Sequence, residues 1–236
     1  MSTKTRMPIV KTEADVDRLS DLSPEEKVLA KENLKKVPLT DGWALMGSDP
    51  EAQAFFSMVE NGIQKLLRPD VQADPGGPMS LSGLYIAKRM NGEWMSSLLN
   101  VLYATSIEPW EKKDFSAAHL GLIDFPDSPM WSAEQSLTLR FTQACYDGEM
   151  SDELYNEARE MWGDKRILRL TLWFGFVQTW VFIQNTAGLS YVPGSHPELE
   201  SGISNPRLVE NSLWPKAEKT WEGLMSVWSG ISIPKP

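Results

Sequence analysis

The chain has 236 residues, 42% of them hydrophobic and 23% charged, with a formal net charge of −9. This length and composition fit a globular protein with a full core, and an acidic balance with no basic stripe excludes binding through a nucleic-acid phosphate backbone. Cys145 is the only cysteine, so an intramolecular disulfide, a dithiol redox couple and a thiolate zinc site are excluded as well.

The first residues, "MSTKTRMPIVKTEADVDRL", carry basic side chains but no apolar run of the signal-peptide kind, and a reducing, cytoplasmic setting is expected. "LSPEEKVLAKENLKKV" predicts a helix with Ser23 as N-cap, Pro24 at its first position and Glu26 completing a capping box. A second helix is predicted from about Pro50 to Leu67, on the spacing of Phe55, Met58, Val59, Ile63 and Leu66. Prolines and paired glycines in "RPDVQADPGGP" end it. A long helix from about Ser80 to Thr105 follows, then a shorter one from Pro109 to Leu120 and a loop "GLIDFPDSPMW". Ser132 with Gln135 forms a second capping box, opening a helix to about Tyr146, and Ser151 and Asp164 are placed as N-caps for the next two helices.

The last of these holds no charged residue from Leu170 to Leu189. That stretch would just span a bilayer, but Gln178, Thr179, Gln184 and Asn185 within it would each need a partner in lipid. A central helix buried on all sides is the expectation. "WPKAEKTWEGLMSVW" predicts a terminal amphipathic helix, and no strand alternation or fixed-period repeat is found. The expected class is all-α.

In the helix around "NGEWMSSLLN", stepping about 100° per residue sets Ala87, Met90, Leu98, Val101 and Thr105 on one stripe with Trp94. Glu93, Ser97 and Asn100 flank that stripe, and Glu93 and Ser97 are one turn apart. Spacing alone fits two readings: a carboxylate held over a pocket, or a solvated helix flank.

The Glu-Trp-x-x step, followed by "WSAEQSLTLRFTQACYDGEMSDELYNEAREMWGDKRILRLTLWFGFVQTWVFIQNTAGLS", resembles the alkylhydroperoxidase-D-like, or carboxymuconolactone decarboxylase, superfamily. The likeness runs from about Leu81 to Ser190. It implies an alkylhydroperoxidase-D-like helical core over 80–190, an N-terminal helical extension over 1–70 and a C-terminal extension over 191–236. It also implies homo-oligomerisation, no metal and no organic cofactor. Peroxidases of the superfamily carry Glu-x-x-Cys-x-x-Cys-x-x-x-His, and relatives with Trp in place of a cysteine carry Glu-Trp-x-x-His. Here the run is Glu93, Trp94, Met95, Ser96, Ser97. Serine stands where the histidine would be, both cysteines are missing, and peroxidase chemistry is excluded because it cycles two thiols.

Among other candidates, His119 in "DFSAAHLGLIDF" fits a general acid or base, or a histidine bonded to a carbonyl. Trp173 and Trp180, seven apart with Val177 between them, and Gln178 on another flank, fit an apolar wall with a polar anchor for a flat molecule. They fit an aromatic core or a subunit interface equally well. Tyr103 is a further hydrogen-bond donor to a phenol or carbonyl.

Two functions follow as expectations. The first is a cofactor-independent decarboxylase, isomerase or cyclase acting on a small conjugated aromatic or polyketide-like carbonyl or lactone compound. Glu93, Ser97 and His119 would be its catalytic set, and Met90, Trp94, Asn100, Tyr103, Trp173, Val177, Gln178 and Trp180 would contact the substrate. The second is a catalytically silent small-molecule binder or assembly protein on the same scaffold. Neither involves nucleic acid or a membrane.

Overall fold

The computed structural model describes residues 5–36, 40–67, 76–96, 119 and 121–190. Every regular element among them is helical, and no strand is present. Helix α1 (Glu13–Arg18) opens with a capping box of Thr12 and Asp15, and α2 (Pro24–Asn33) with one of Ser23 and Glu26. In each, the cap hydroxyl accepts from the third helical amide and the acid accepts from the cap amide, so two otherwise orphaned N–H groups are satisfied together. Helix α3 (Asp41–Leu45) leads through a 3-10 turn (Met46–Ser48) into α4 (Pro50–Leu66), capped by Asp49. Helix α5 spans Pro78–Arg89, α6 spans Ala133–Asp147 with the Ser132–Gln135 box, and α7 spans Asp152–Ala187 with Ser151 as N-cap.

The chain reverses direction inside α7. Gly163 has φ 72° and ψ 156°, a region open essentially to glycine alone. Before it, α7 runs back along α6: Glu157 accepts from Arg140 at 2.9 and 2.6 Å, and Glu134 accepts from the Trp162 indole at 3.0 Å. After it, α7 runs forward again, bringing Thr171, Phe174 and Gln178 beside Thr142, Cys145 and Tyr146. Asp164, expected as an N-cap, instead accepts from the Tyr155 hydroxyl at 2.9 Å, and the break falls one residue earlier at the glycine.

Two expectations for the helices are corrected. The helix predicted over Ser80–Thr105 is interrupted. Asn91 adopts φ 52°, Gly92 N–H donates to the Ala87 carbonyl at 2.8 Å and Asn91 N–H to the Lys88 carbonyl at 3.1 Å. These two bonds close α5 as a Schellman turn, and helical backbone resumes only at residues 93–96. α7 also packs close to Gly92, since a Cβ there would lie 2.7 Å from Val181 Cγ1. Residues 97–105, the helix expected over 109–120 apart from His119, and the terminal helix lie outside the described residues.

The second correction concerns burial. The uncharged part of α7, from Leu170 on, is not enclosed on all sides, because Leu172 and Phe182 stand exposed. The enclosed helix is α5, buried from Pro78 through Ala87 apart from a half-buried Ser80. Its two faces serve two clusters, one with Leu81, Leu84 and Tyr85 against Trp131 and Leu139, the other with Met79, Ile86 and Ala87 against α6 and α7. Helix α7 grips both ends of α5: the Trp173 indole donates to the Met79 carbonyl at 2.8 Å and the Asn185 amide to the Met90 carbonyl at 3.0 Å. Trp43, Phe56, Ile63 and Leu67 belong to the main cluster, so residues 40–67 are part of the core structure and not an appendage to it.

Gly163→Ala is expected to lower stability by about 1–3 kcal/mol, read as a lower urea midpoint. Nothing lies within 4 Å of where its Cβ would sit, so the loss measures backbone conformation and not a clash. An unchanged midpoint would mean that the reversal is not held by that residue.

Candidate functional site

The described residues contain one cleft of note, about 180 Å³, between α5, α6 and α7. Ile86 comes from α5, Thr142, Cys145 and Tyr146 from α6, and Thr171, Phe174, Gly175 and Gln178 from α7. The sequence puts these together because 142, 145 and 146 share one face of α6, while 171, 174, 175 and 178 share one face of α7. Ile86 and Phe174 are buried and supply the apolar floor.

The cleft is electrically neutral. None of its lining residues is an acid or a base of ordinary charge. Burial pushes the Cys145 thiol up to about 11, so it stays protonated near neutrality and is a poor nucleophile and metal ligand. The Thr171 hydroxyl donates to the Ile167 carbonyl at 3.0 Å and the Thr142 hydroxyl to the Thr138 carbonyl at 2.6 Å. Both hydroxyl oxygens retain accepting capacity. The Tyr146 ring lies 5.8 Å from the guanidinium of Arg89, which is itself paired with Asp147 at 3.2 Å. Among the described residues no group of three or more His, Cys, Asp or Glu side chains is arranged to hold a metal ion.

Of the site residues expected from sequence, only Gln178 lines this cleft. Glu93 is exposed while its neighbour Trp94 is buried to 1% exposure. The break at Asn91–Gly92 separates them from the stripe on α5, and no indole wall encloses the Glu93 carboxylate. Ser97, Asn100 and Tyr103 lie outside the described residues. His119 is buried, its Nε2 3.0 Å from the Met130 carbonyl and its ring 5.0 Å from that of Trp131, an arrangement that suits a structural role. Met90 serves through its carbonyl, as the acceptor of the Asn185 amide. Trp173 ties α5 to α7, Val177 is core, and Trp180 packs on Trp43 at 5.1 Å and Phe56 at 4.9 Å. These aromatics build the interior and not a ligand wall.

Two polar groups of the interior are not among the site residues expected from sequence. Glu60 occupies the inward face of α4, one turn from Phe56 and from Ile63. Phe56 stacks on Phe176 at 4.6 Å, and Arg169 donates to the Leu66 carbonyl at 2.7 Å, so α4 and α7 run antiparallel and Glu60 falls between those two contacts. Burial raises its carboxyl from 4.5 to about 7. The placement was readable, since 53, 56, 60, 63 and 67 repeat at helical spacing. Gln184 is fully buried, and neither polar atom of its amide has a hydrogen-bond partner among the described residues. A Cβ on Gly42 would lie 3.3 Å from its Nε2 and 3.0 Å from Trp94, so the absence of a side chain at Gly42 makes room for both.

No family model matches the chain, and neither a curated protein nor a solved structure was found to match it.

The raised carboxyl of Glu60 has a consequence for stability. Its folded value, about 7, lies above its unfolded value, so the protonated form favours folding. That contribution is complete below about pH 4.5 and is lost as pH rises toward and through 7. Thermal unfolding of Glu60→Gln should show a melting temperature above that of the unmodified chain at pH 8, with the gap closing at pH 4.5. A gap that does not change with pH would contradict the assignment.

Proposed function

We propose that this protein binds a small uncharged molecule, of about single-ring size, in the cleft between α5, α6 and α7. The neutral lining carries this reading: a charged ligand would find no counter-ion there, and its desolvation would go uncompensated. The size is right for a ring, since a dry apolar cavity of about 150 Å³ holds benzene. Ile86 and Phe174 would pack against the ring. The Gln178 amide, which no hydrogen bond engages among the described residues, would meet a hydroxyl or carbonyl. The protonated Cys145 thiol adds a soft, neutral contact.

Support for an enzyme centred on Glu93 is correspondingly weaker, because its side chain is exposed. As scaffold we take an alkylhydroperoxidase-D-like arrangement over about Leu81–Ser190, without redox chemistry. The setting is cytoplasmic, and copies of the chain associate with one another. One described helix, α7, is long and apolar enough to cross a membrane by length and composition, and 44% of its most apolar window is buried against the rest of the chain.

Phenol and benzyl alcohol serve as probes. Either, at about 100 times its Kd, should stabilise the chain by about 2.7 kcal/mol, seen as a rise in melting temperature, and should slow labelling of Cys145 by a neutral maleimide. Thr171→Phe, which fills the cleft from an exposed position, should abolish both effects. If the shift survives in that variant, the molecule binds elsewhere and the cleft is not the site.

A second reading is favoured by Glu60 alone. A carboxyl that titrates near 7 is suited to general acid–base work, and proton transfer on a conjugated lactone or carboxylic acid would then run through α4. Turnover of such a compound by the purified chain, abolished in Glu60→Gln and retained in Glu93→Gln, is the expected pattern. Equal rates in all three proteins would remove Glu60 from any chemical role.

A further inference from the structure

Both α4 and α7 carry an exposed apolar seam. On α4, Phe55, Met58 and Leu66 retain 63%, 64% and 43% of their surface, and on α7 Leu168, Leu172 and Phe182 retain 63%, 48% and 62%. Gly62 and Gly175 fall among them, and the Cβ position of each opens on empty space. The interior contacts fix how the two seams are turned. Phe56 stacks on Phe176, and Arg169 donates to the Leu66 carbonyl. Phe55, Gly62 and Leu66 each stand one position before a core residue of α4, namely Phe56, Ile63 and Leu67. On α7, Leu172, Gly175 and Thr179 stand one position before the inward Trp173, Phe176 and Trp180.

One position is a turn of about 100° about the helix's own axis. Because α4 and α7 run antiparallel, equal turns away from their shared contact carry both seams to the same side of the pair. They form a single two-helix surface, with Leu66 beside Leu168 and Phe55 beside Thr179. Six partly exposed side chains of this size present on the order of 600 Å² of apolar area. That is the upper end of what a folded monomer leaves open, and close to the share of about 800 Å² that each partner gives to a standard interface. The margins are charged in opposite senses. Lys65 and Lys165 stand exposed at the Leu168 end, where Asp164 is engaged by the Tyr155 hydroxyl, and Glu51 stands exposed at the Phe182 end.

We propose that a second copy of this chain covers the surface, with α7 antiparallel to α7 and α4 antiparallel to α4 about a two-fold axis at Gly175. The contact is then a four-helix arrangement shared between two subunits. Gly175 lies seven positions from Leu168 and seven from Phe182. The axis therefore lays Leu168 of each copy on Phe182 of the other, the same pairing twice, as an isologous interface requires. Turning one copy end for end also sets the lysine margin of each against Glu51 of the other. A bilayer would match the apolar area and leave the opposed margins unused; a second copy matches both by symmetry. The inference rests on the association of copies proposed above and assigns its surface. It does not depend on a ligand in the cleft.

The test is the mass of the full chain in solution, measured by light scattering over a range of concentrations. Twice the 26.6 kDa of one chain is expected. Phe55→Glu on α4 and Leu172→Glu on α7, both at exposed positions, should each raise the dimer dissociation constant by about tenfold or more. A native mass of one chain overturns both the association and the surface, whether a bilayer or another part of the chain then covers it. A native dimer that either variant leaves unchanged overturns the surface alone and leaves the association standing. A second readout needs no disruption of the contact. In a Cys145→Ser background, which removes the only native thiol, Gly175→Cys should form disulfide-linked dimers under mild oxidation. The control is Asn61→Cys, exposed on another side of α4. Dimer yields at Gly175→Cys no higher than the control overturn the two-fold placement.

Discussion

The reversal at Gly163 determines what the rest of the chain can pack against. One residue in a glycine-only conformation turns α7 back on itself, so that a single helical segment contacts α6 twice, first running against it and then with it. The second pass supplies the rail for α5 and α4. Trp173 and Asn185 reach α5 from one side at levels about twelve residues, or roughly 18 Å, apart, and fix its position along the rail as well as its distance from it. Arg6 closes the far end: its side chain and backbone donate to the carbonyls of Thr186 and Ala187 at 2.9 and 2.8 Å. A cation thus sits at the negative end of the helix dipole.

What could be read from the sequence was local. Side chains within four residues of one another decide capping boxes, and those at Ser23, Ser132 and the cap at Ser151 are formed as expected. The extent of α4 also follows from its own periodicity. Asn91–Gly92 stands inside the predicted helix although an Asn-Gly pair is itself a local turn signal, and Gly92 also leaves room for Val181. Trp94 faces the core and Glu93 faces solvent, which is the solvated-flank alternative that the spacing left open. The lack of charge from Leu170 to Leu189 signals that the surfaces there are to be covered. It does not say by what, and the described residues leave one side bare.

The polar residues of that apolar helix divide by what they meet. Asn185 donates to a carbonyl of another segment, and Thr171 and Thr179 turn back onto their own helix, two ways of pairing a polar group within the protein. Gln178 points to the cleft, where it is the one amide without an assigned hydrogen bond. The same division explains why charge is missing from the site. An ionised group on this stretch would have to be buried or to face the seam, and either costs more than a neutral amide does.

Gln184 remains outside that economy. An unsatisfied buried amide costs about 1–3 kcal/mol, and a leucine or methionine would fill the same space without that penalty. The indole of Trp94 and the bare backbone of Gly42 are arranged around it, so its environment is shaped to hold the amide's bulk while offering it nothing to bond. A core selected only for stability would replace it. Glu60, half-buried on α4, is the other polar group of this region, and burial raises its carboxyl to about 7.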